Sequence, residues 1–176
     1  MSQIIIDRIK RQLSAAEGYL DLNLPNRALQ ILENQADWAT MQFEASFLKG
    51  ETLRRLGRVR EALKPLELAA SLRPGDVGTA FALGWCYKRT HRLAQAIDSL
   101  TRALRDHPAE PLLHYNLACY WSLANNAGKA VLSLARALEL DPEIRTQIAS
   151  ETDFDPIRGN SDFERLAGPT EPIAPE

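Results

Sequence analysis

The residue types that carry most protein chemistry are few in this chain, and they are scattered. His91, His107 and His114 fall at a turn, at a segment boundary and at the start of an apolar stretch. None has a cysteine, histidine or carboxylate at metal-ligand spacing. Cys86 and Cys119 sit inside apolar helical segments with no ligand-like spacing. They read as buried small hydrophobes, neither a disulfide nor a metal pair. His114 is expected at the surface or internally satisfied, not as a partner for Cys119 or Tyr87. No glycine-rich phosphate loop, serine elbow or paired-carboxylate arrangement stands out. These residues predict no enzyme, no cofactor and no metal site, and function is expected to come from a surface.

The bulk numbers bound what presents that surface. A chain of 176 residues with 45% apolar and 25% charged residues has the balance of one soluble globular domain or one compact array. A net charge of −2 argues against affinity resting on broad phosphate neutralisation, so nucleic acid is disfavoured as a partner. The apolar run Ile4–Ile6 ends at once in Asp7, Arg8 and Lys10. It is too short for a signal-peptide core or a bilayer span, and a soluble cytoplasmic protein with no membrane partner is expected.

Self-similarity organises the rest. Ala28, Ala62, Ala96 and Ala130 are 34 residues apart. Leu32, Leu66, Leu100 and Leu134 keep the same step, as do Leu29, Leu63, Ile97 and Val131. Pro74, Pro108 and Pro142 follow it with Thr40 in the first place, and Ala69, Ala103 and Ala137 with Gln35 as the exception. Two further columns run ahead of these: Ala16, Gly50, Gly84, Ala118, and Tyr19, Leu53, Tyr87, Trp121. Seven columns in one register without an insertion define four repeats. The small residues let two antiparallel helices approach, and the large residue three positions later fills the space beside that contact. The leucines lie four residues beyond the alanines, on the same helical face. The prolines close each unit and suit the first turn of the next helix. Short breaks at Asn23–Pro25, Gly57–Arg58, His91–Arg92 and Asn125–Asn126 have the length of αα-hairpin turns.

Gly84, Tyr87, Ala96, Leu100, Ala103 and Pro108, together with the other columns, resemble the tetratricopeptide repeat (TPR), over about residues 9–142. The resemblance implies an all-α fold, a right-handed superhelical solenoid of about four helix–turn–helix repeats with a C-terminal capping helix. Repeats are expected near 9–42, 43–76, 77–110 and 111–144, a cap over 142–167, a single array over 1–167 and a disordered tail over 168–176. Helix pairs are predicted at 3–22 and 26–36, 41–56 and 60–72, 76–90 and 93–106, and 110–124 and 127–140. Asp76 and Asp141 are N-cap candidates, and Pro65 predicts a local kink.

Residues 142–151, with Ile144 and Ile148, read as a solvating cap helix. The stretch from Asp153 to Leu166 is similar to a tail found after some bacterial tetratricopeptide arrays. Phe154, Ile157, Phe163 and Leu166 are expected to fold back onto the last hairpin, with Ser161 capping a short helix. At the other end Ile5, Ile6, Ile9 and Leu13 make a stripe that reads as core packing or as the seam of a homodimer.

In this family the first helix of each pair lines the concave side. That places Phe47, Phe81 and Tyr115 in one column, with Asn116 beside the last. Glu17, Glu51, Trp85 and Cys119 lie one turn on along the same face, followed by Arg54, Arg55, Lys88 and Arg89. An aromatic ladder edged by cations suits a partner with apolar anchors and acidic character. The structural alternative is that these cations complement helix dipoles, and that Glu51 and Arg55 form an i, i+4 pair. The family's carboxylate clamp for chaperone C-termini is not matched. Its positions hold Leu13, Glu17, Leu48, Gly78 and Ala82 in one register, and Phe47, Glu51, Ala82, Leu112 and Asn116 in the other. The favoured function is a protein-interaction scaffold whose groove takes a peptide or helix of a partner. Assembly through the end helices is the alternative, and RNA binding by the repeat surface is third.

Overall fold

The repeat unit follows from how each helix ends. In the computed structural model, which describes residues 3–34 and 39–168, the chain forms α1 (Gln3–Asp21), α2 (Pro25–Asn34), α3 (Gln42–Arg55) and α4 (Val59–Leu72). It continues with α5 (Val77–Arg89), α6 (Leu93–Asp106), α7 (Pro111–Leu123) and α8 (Ala127–Leu140). Gln35 and the expected tail beyond Gly168 lie outside the described residues. Asn23, Gly57, His91 and Asn125, again one repeat apart, all have positive φ, between 55° and 73°. The next residue's N–H reaches back to the carbonyl of the large residue in the Tyr19 column: Leu24 to Tyr19 at 2.8 Å, Arg58 to Leu53 at 2.9 Å, Arg92 to Tyr87 at 2.8 Å and Asn126 to Trp121 at 2.9 Å. A left-handed residue followed by this long backbone bond is the Schellman way of satisfying carbonyls at a helix C-terminus. It stops the first helix and aims the chain into the second.

Most of the repeating columns then fall inside. Ala28, Ala62, Ala96 and Ala130 are inaccessible to solvent, as are Leu66, Leu100 and Leu134. Asp76 caps α5, its carboxylate accepting from the Thr79 N–H at 2.7 Å, and Asp141 accepts from the Glu143 N–H at 3.0 Å. Pro65 sits in the middle of α4 without ending it. Among the described residues there is no strand, and no helix is long and apolar enough to cross a membrane.

The chain divides into two compact units, the first through Asp106 and the second from His107. The first holds the hairpins α1–α2, α3–α4 and α5–α6. Within it the first helices touch along one layer, α1 with α3 and α3 with α5, and each second helix wedges against the next hairpin, α2 with α3 and α4 with α5. Ile9 and Leu13 are buried in that core, whereas Ile4 and Ile5 are exposed.

The second unit is the α7–α8 hairpin and its cap. The expected cap helix over 142–151 is instead a 3-10 turn at Pro142–Ile144 and a single helical turn, α9 (Arg145–Ile148). Glu151 ends it by capping the next turn, Thr152–Ile157, through the Asp153 N–H at 3.0 Å. Ile144 and Ile148 point inward and are buried. The final helix α10 (Ser161–Ala167) is capped by Asn160, not Ser161, because the Asn160 side chain accepts from the N–H groups of Asp162 and Phe163, both at 3.1 Å. Phe154, Ile157 and Phe163 fold back and are buried as expected, and Leu166 is half-buried. Two arginines fasten this segment: Arg145 donates to the Leu166 carbonyl at 2.7 Å, and Arg158 to the Glu151 carbonyl at 2.9 Å.

Candidate functional site

Eight of the ten sequence-derived groove residues lie on α3 and α5 in the first unit. Phe47, Phe81 and Trp85 are all half-buried, so each ring rests on the helices and still shows a face. Phe47 reaches α5 where there is no side chain, since a Cβ at Gly78 would come 3.2 Å from the Phe47 ring tip. Phe81 is one turn after Gly78, and Trp85 one turn further, on the same face. Trp85 is bracketed by two guanidinium groups, Arg54 with its Cζ 5.2 Å from the ring centroid and Arg89 with its Cζ 5.0 Å away. Both lie within cation–π range, which fixes the indole and concentrates positive charge around it.

The cations are not equally available. Glu51 accepts two hydrogen bonds from Arg54, both at 2.7 Å, and one from Arg55 at 2.9 Å. Arg55 also donates to the Leu20 carbonyl at 2.7 Å, tying the end of α1 to α3. Its first duty is therefore structural. Burial by itself would raise the Glu51 carboxyl, but the hydrogen bonds from Arg54 and Arg55 outweigh it and hold the group below its ordinary 4.5. A carboxyl depressed in the folded state contributes stability above its unfolded value and loses it as pH falls through the folded one. Glu51→Gln is expected to cost about 1 kcal/mol at neutral pH. Its deficit relative to wild type should shrink as pH drops from about 5 to about 3, as thermal melts at a series of pH values would record.

Tyr115 and Asn116 belong to the second unit and are engaged there. Tyr115 is only 6% exposed, its ring edge-on to Phe154 at 5.8 Å, so it is a core residue of the capped hairpin and not an open groove contact. Asn116 donates to the Leu112 carbonyl of its own helix at 2.8 Å.

Two contributors lie outside the repeating columns. Phe43 stacks parallel to Phe47 with centroids 6.2 Å apart, and Arg73, which pairs with Glu44, lies over Phe43 with its Cζ 3.8 Å from the centroid. They extend the aromatic–cationic surface toward the start of α3. Cys86 lies below it, fully buried; burial chiefly pushes its thiol up to about 11, which suits an inert core residue. His114 faces the Pro108 carbonyl at 2.9 Å through Nε2.

No family model matches the chain, and no curated protein matches it. Solved structures do. A crystal structure of MamA is similar at 20% identity with a TM-score of 0.71, covering 78% of this chain and 81% of that one. YrrB, a TPR protein with an unusual peptide-binding site, is similar at 19% identity with a TM-score of 0.71, covering 81% and 73%. MamA from Desulfovibrio magneticus RS-1 is similar at 19% identity with a TM-score of 0.68, covering 91% and 93%. With the repeating columns and the turn geometry, this likeness establishes the class: the chain has the tetratricopeptide-repeat fold, in four helix–turn–helix repeats with a C-terminal cap.

Proposed function

We propose that the chain is a protein-interaction scaffold whose α3–α5 surface docks an acidic segment of a partner protein, a peptide or helix with apolar anchors seated on Phe47, Phe81 and Trp85. The observation that carries this reading is Trp85, half-exposed between the Arg54 and Arg89 guanidinium groups and in line with two further half-exposed rings. Five cations, Arg54, Arg55, Arg73, Lys88 and Arg89, share this surface with two carboxylates, Glu44 and Glu51, on a chain whose net charge is −2. That local reversal of sign attracts an acidic segment and leaves the aromatic faces to hold it. The similarity to YrrB, itself a peptide-binding protein, supports a peptide as the occupant.

Peptides selected from a random phage-displayed library on the wild-type chain supply the probe. Biosensor kinetics with Trp85→Ala should show dissociation faster by roughly 30-fold, the equivalent of about 2 kcal/mol for an aromatic anchor. Arg89→Glu should mainly slow association and flatten its salt dependence. Circular dichroism must show both variants folded. Self-association through α1 is the competing reading, favoured by the exposure of Ile4 at 78%. Sedimentation of a dimer that Ile4→Lys dissolves, together with unchanged peptide kinetics in Trp85→Ala, would select it.

A further inference from the structure

In the second unit, helix α7 carries Tyr115 and Cys119 four residues apart on one face, and the turn Thr152–Ile157 packs on that helix. The packing brings Glu151 and Asp153 to Cys119: the Cys119 sulfur and one carboxylate oxygen from each acid all lie within 4.8 Å of one another. Cys119 is 2% exposed, and both acids are half-buried. Tyr115 supplies an independent sign that the place is built for a ligand. Its hydroxyl oxygen is sealed from solvent and makes no hydrogen bond of ordinary geometry, although Cys119 is its neighbour. A phenol left in that condition is costly unless something completes it.

We propose that Cys119, Glu151 and Asp153 bind a divalent cation of the zinc type, with Tyr115 hydrogen-bonded behind the sulfur. One thiolate with carboxylate oxygens is a donor set for zinc, not for magnesium or calcium, which take oxygen alone. Zinc bonds of about 2.3 Å to sulfur and 2.0–2.2 Å to oxygen put tetrahedral ligand atoms roughly 3.5 Å apart. Closing from at most 4.8 Å to that spacing asks a shift of about 1 Å of the two acids. Glu151 already gives one oxygen to the Asp153 N–H, and a carboxylate has a second to offer.

On binding, the S–H bond of Cys119 breaks, its proton goes to solvent, and the sulfur's electron pair forms the metal–sulfur bond. The resulting thiolate is a far better acceptor than the thiol for the neighbouring Tyr115 hydroxyl. The ion clamps the capping turn to α7, a structural role.

The test is titration of the full chain, stripped with chelator, with cobalt(II) and then zinc(II), followed by absorbance. A thiolate-to-cobalt charge-transfer band should saturate at one ion per chain and be bleached by zinc, with one proton released per ion. Cys119→Ser should abolish the band, and Cys86→Ser should keep it. Glu151→Gln retains a cap for the Asp153 N–H and, shown folded by circular dichroism, should weaken binding at least about tenfold. Absence of the band in the folded wild type, its persistence in Cys119→Ser, its loss in Cys86→Ser, or unchanged affinity in Glu151→Gln would each overturn the assignment.

Discussion

Replacing Gly50 by leucine should lower the melting midpoint by roughly 6–12 °C, through overpacking that costs about 3 kcal/mol. Even one added carbon has no room. A Cβ at Gly50 would come 2.4 Å from Cγ and 2.6 Å from Cδ2 of Leu66, and 3.3 Å from the Leu66 backbone nitrogen. Leu66 is wholly buried against α3, so it has nowhere to withdraw. The contrast with Gly18 isolates the cause. Gly18 is also helical, but nothing lies within 4 Å of its Cβ position. Gly18→Ala should therefore stabilise by about 0.5–1 kcal/mol through helix propensity, whereas Gly50→Ala should destabilise despite the same gain. Calorimetry on the three variants distinguishes a packing requirement at Gly50 from a general cost of replacing glycine. A midpoint unchanged by Gly50→Leu would remove the α3–α4 contact from the account.

Phe154→Ala should cost about 3–5 kcal/mol in the stability of the second unit. Among the described residues Phe154 is the largest wholly buried side chain, set between Tyr115 at 5.8 Å and Phe163 at 5.2 Å between centroids. Its removal leaves a cavity that two rings on different segments cannot close together, because one is held on α7 and the other on α10. Denaturant unfolding should show an earlier transition in the second unit, with its amides losing hydrogen-exchange protection ahead of those in α3–α4. An effect below about 1 kcal/mol would mean that residues 152–167 are an ornament on the hairpin and not its cap.

The helices and their pairing were legible because each column is one physical requirement repeated at a fixed step. A small residue at Gly50 and a bulky one at Leu66 recur one repeat later as Gly84 and Leu100. The turn positions were legible as breaks, but their left-handed backbone was not. They are filled by Asn23, Gly57, His91 and Asn125, three residue types united only by their backbone angle. Tyr115 was misread for a related reason. It shares a column with Phe47 and Phe81, but a non-repeating segment carrying Phe154 folds over it, and periodicity cannot register a covering element that occurs once. Phe43 was missed because its counterparts, Val77 and Pro111, are not aromatic. The Glu51–Arg55 pair follows from helical spacing, whereas the hold of Arg55 on the Leu20 carbonyl links residues 35 apart and needs the fold to be seen. The same applies to Cys119, which meets Glu151 and Asp153 across a distance in sequence that no ligand spacing describes.

The central claim is that the aromatic and cationic residues of α3 and α5 receive a partner segment. Amide chemical-shift mapping of the nitrogen-15-labelled chain, titrated with a peptide selected on the wild type, tests it most directly. Shifts should concentrate on residues 43–55 and 77–89 and on the Trp85 indole N–H, and they should vanish at the same peptide concentration in folded Trp85→Ala. Shifts confined to α2, α4 and α6 or to the ends of the chain, with Trp85→Ala responding as the wild type does, would contradict the claim and leave Phe47, Phe81 and Trp85 with packing duties alone.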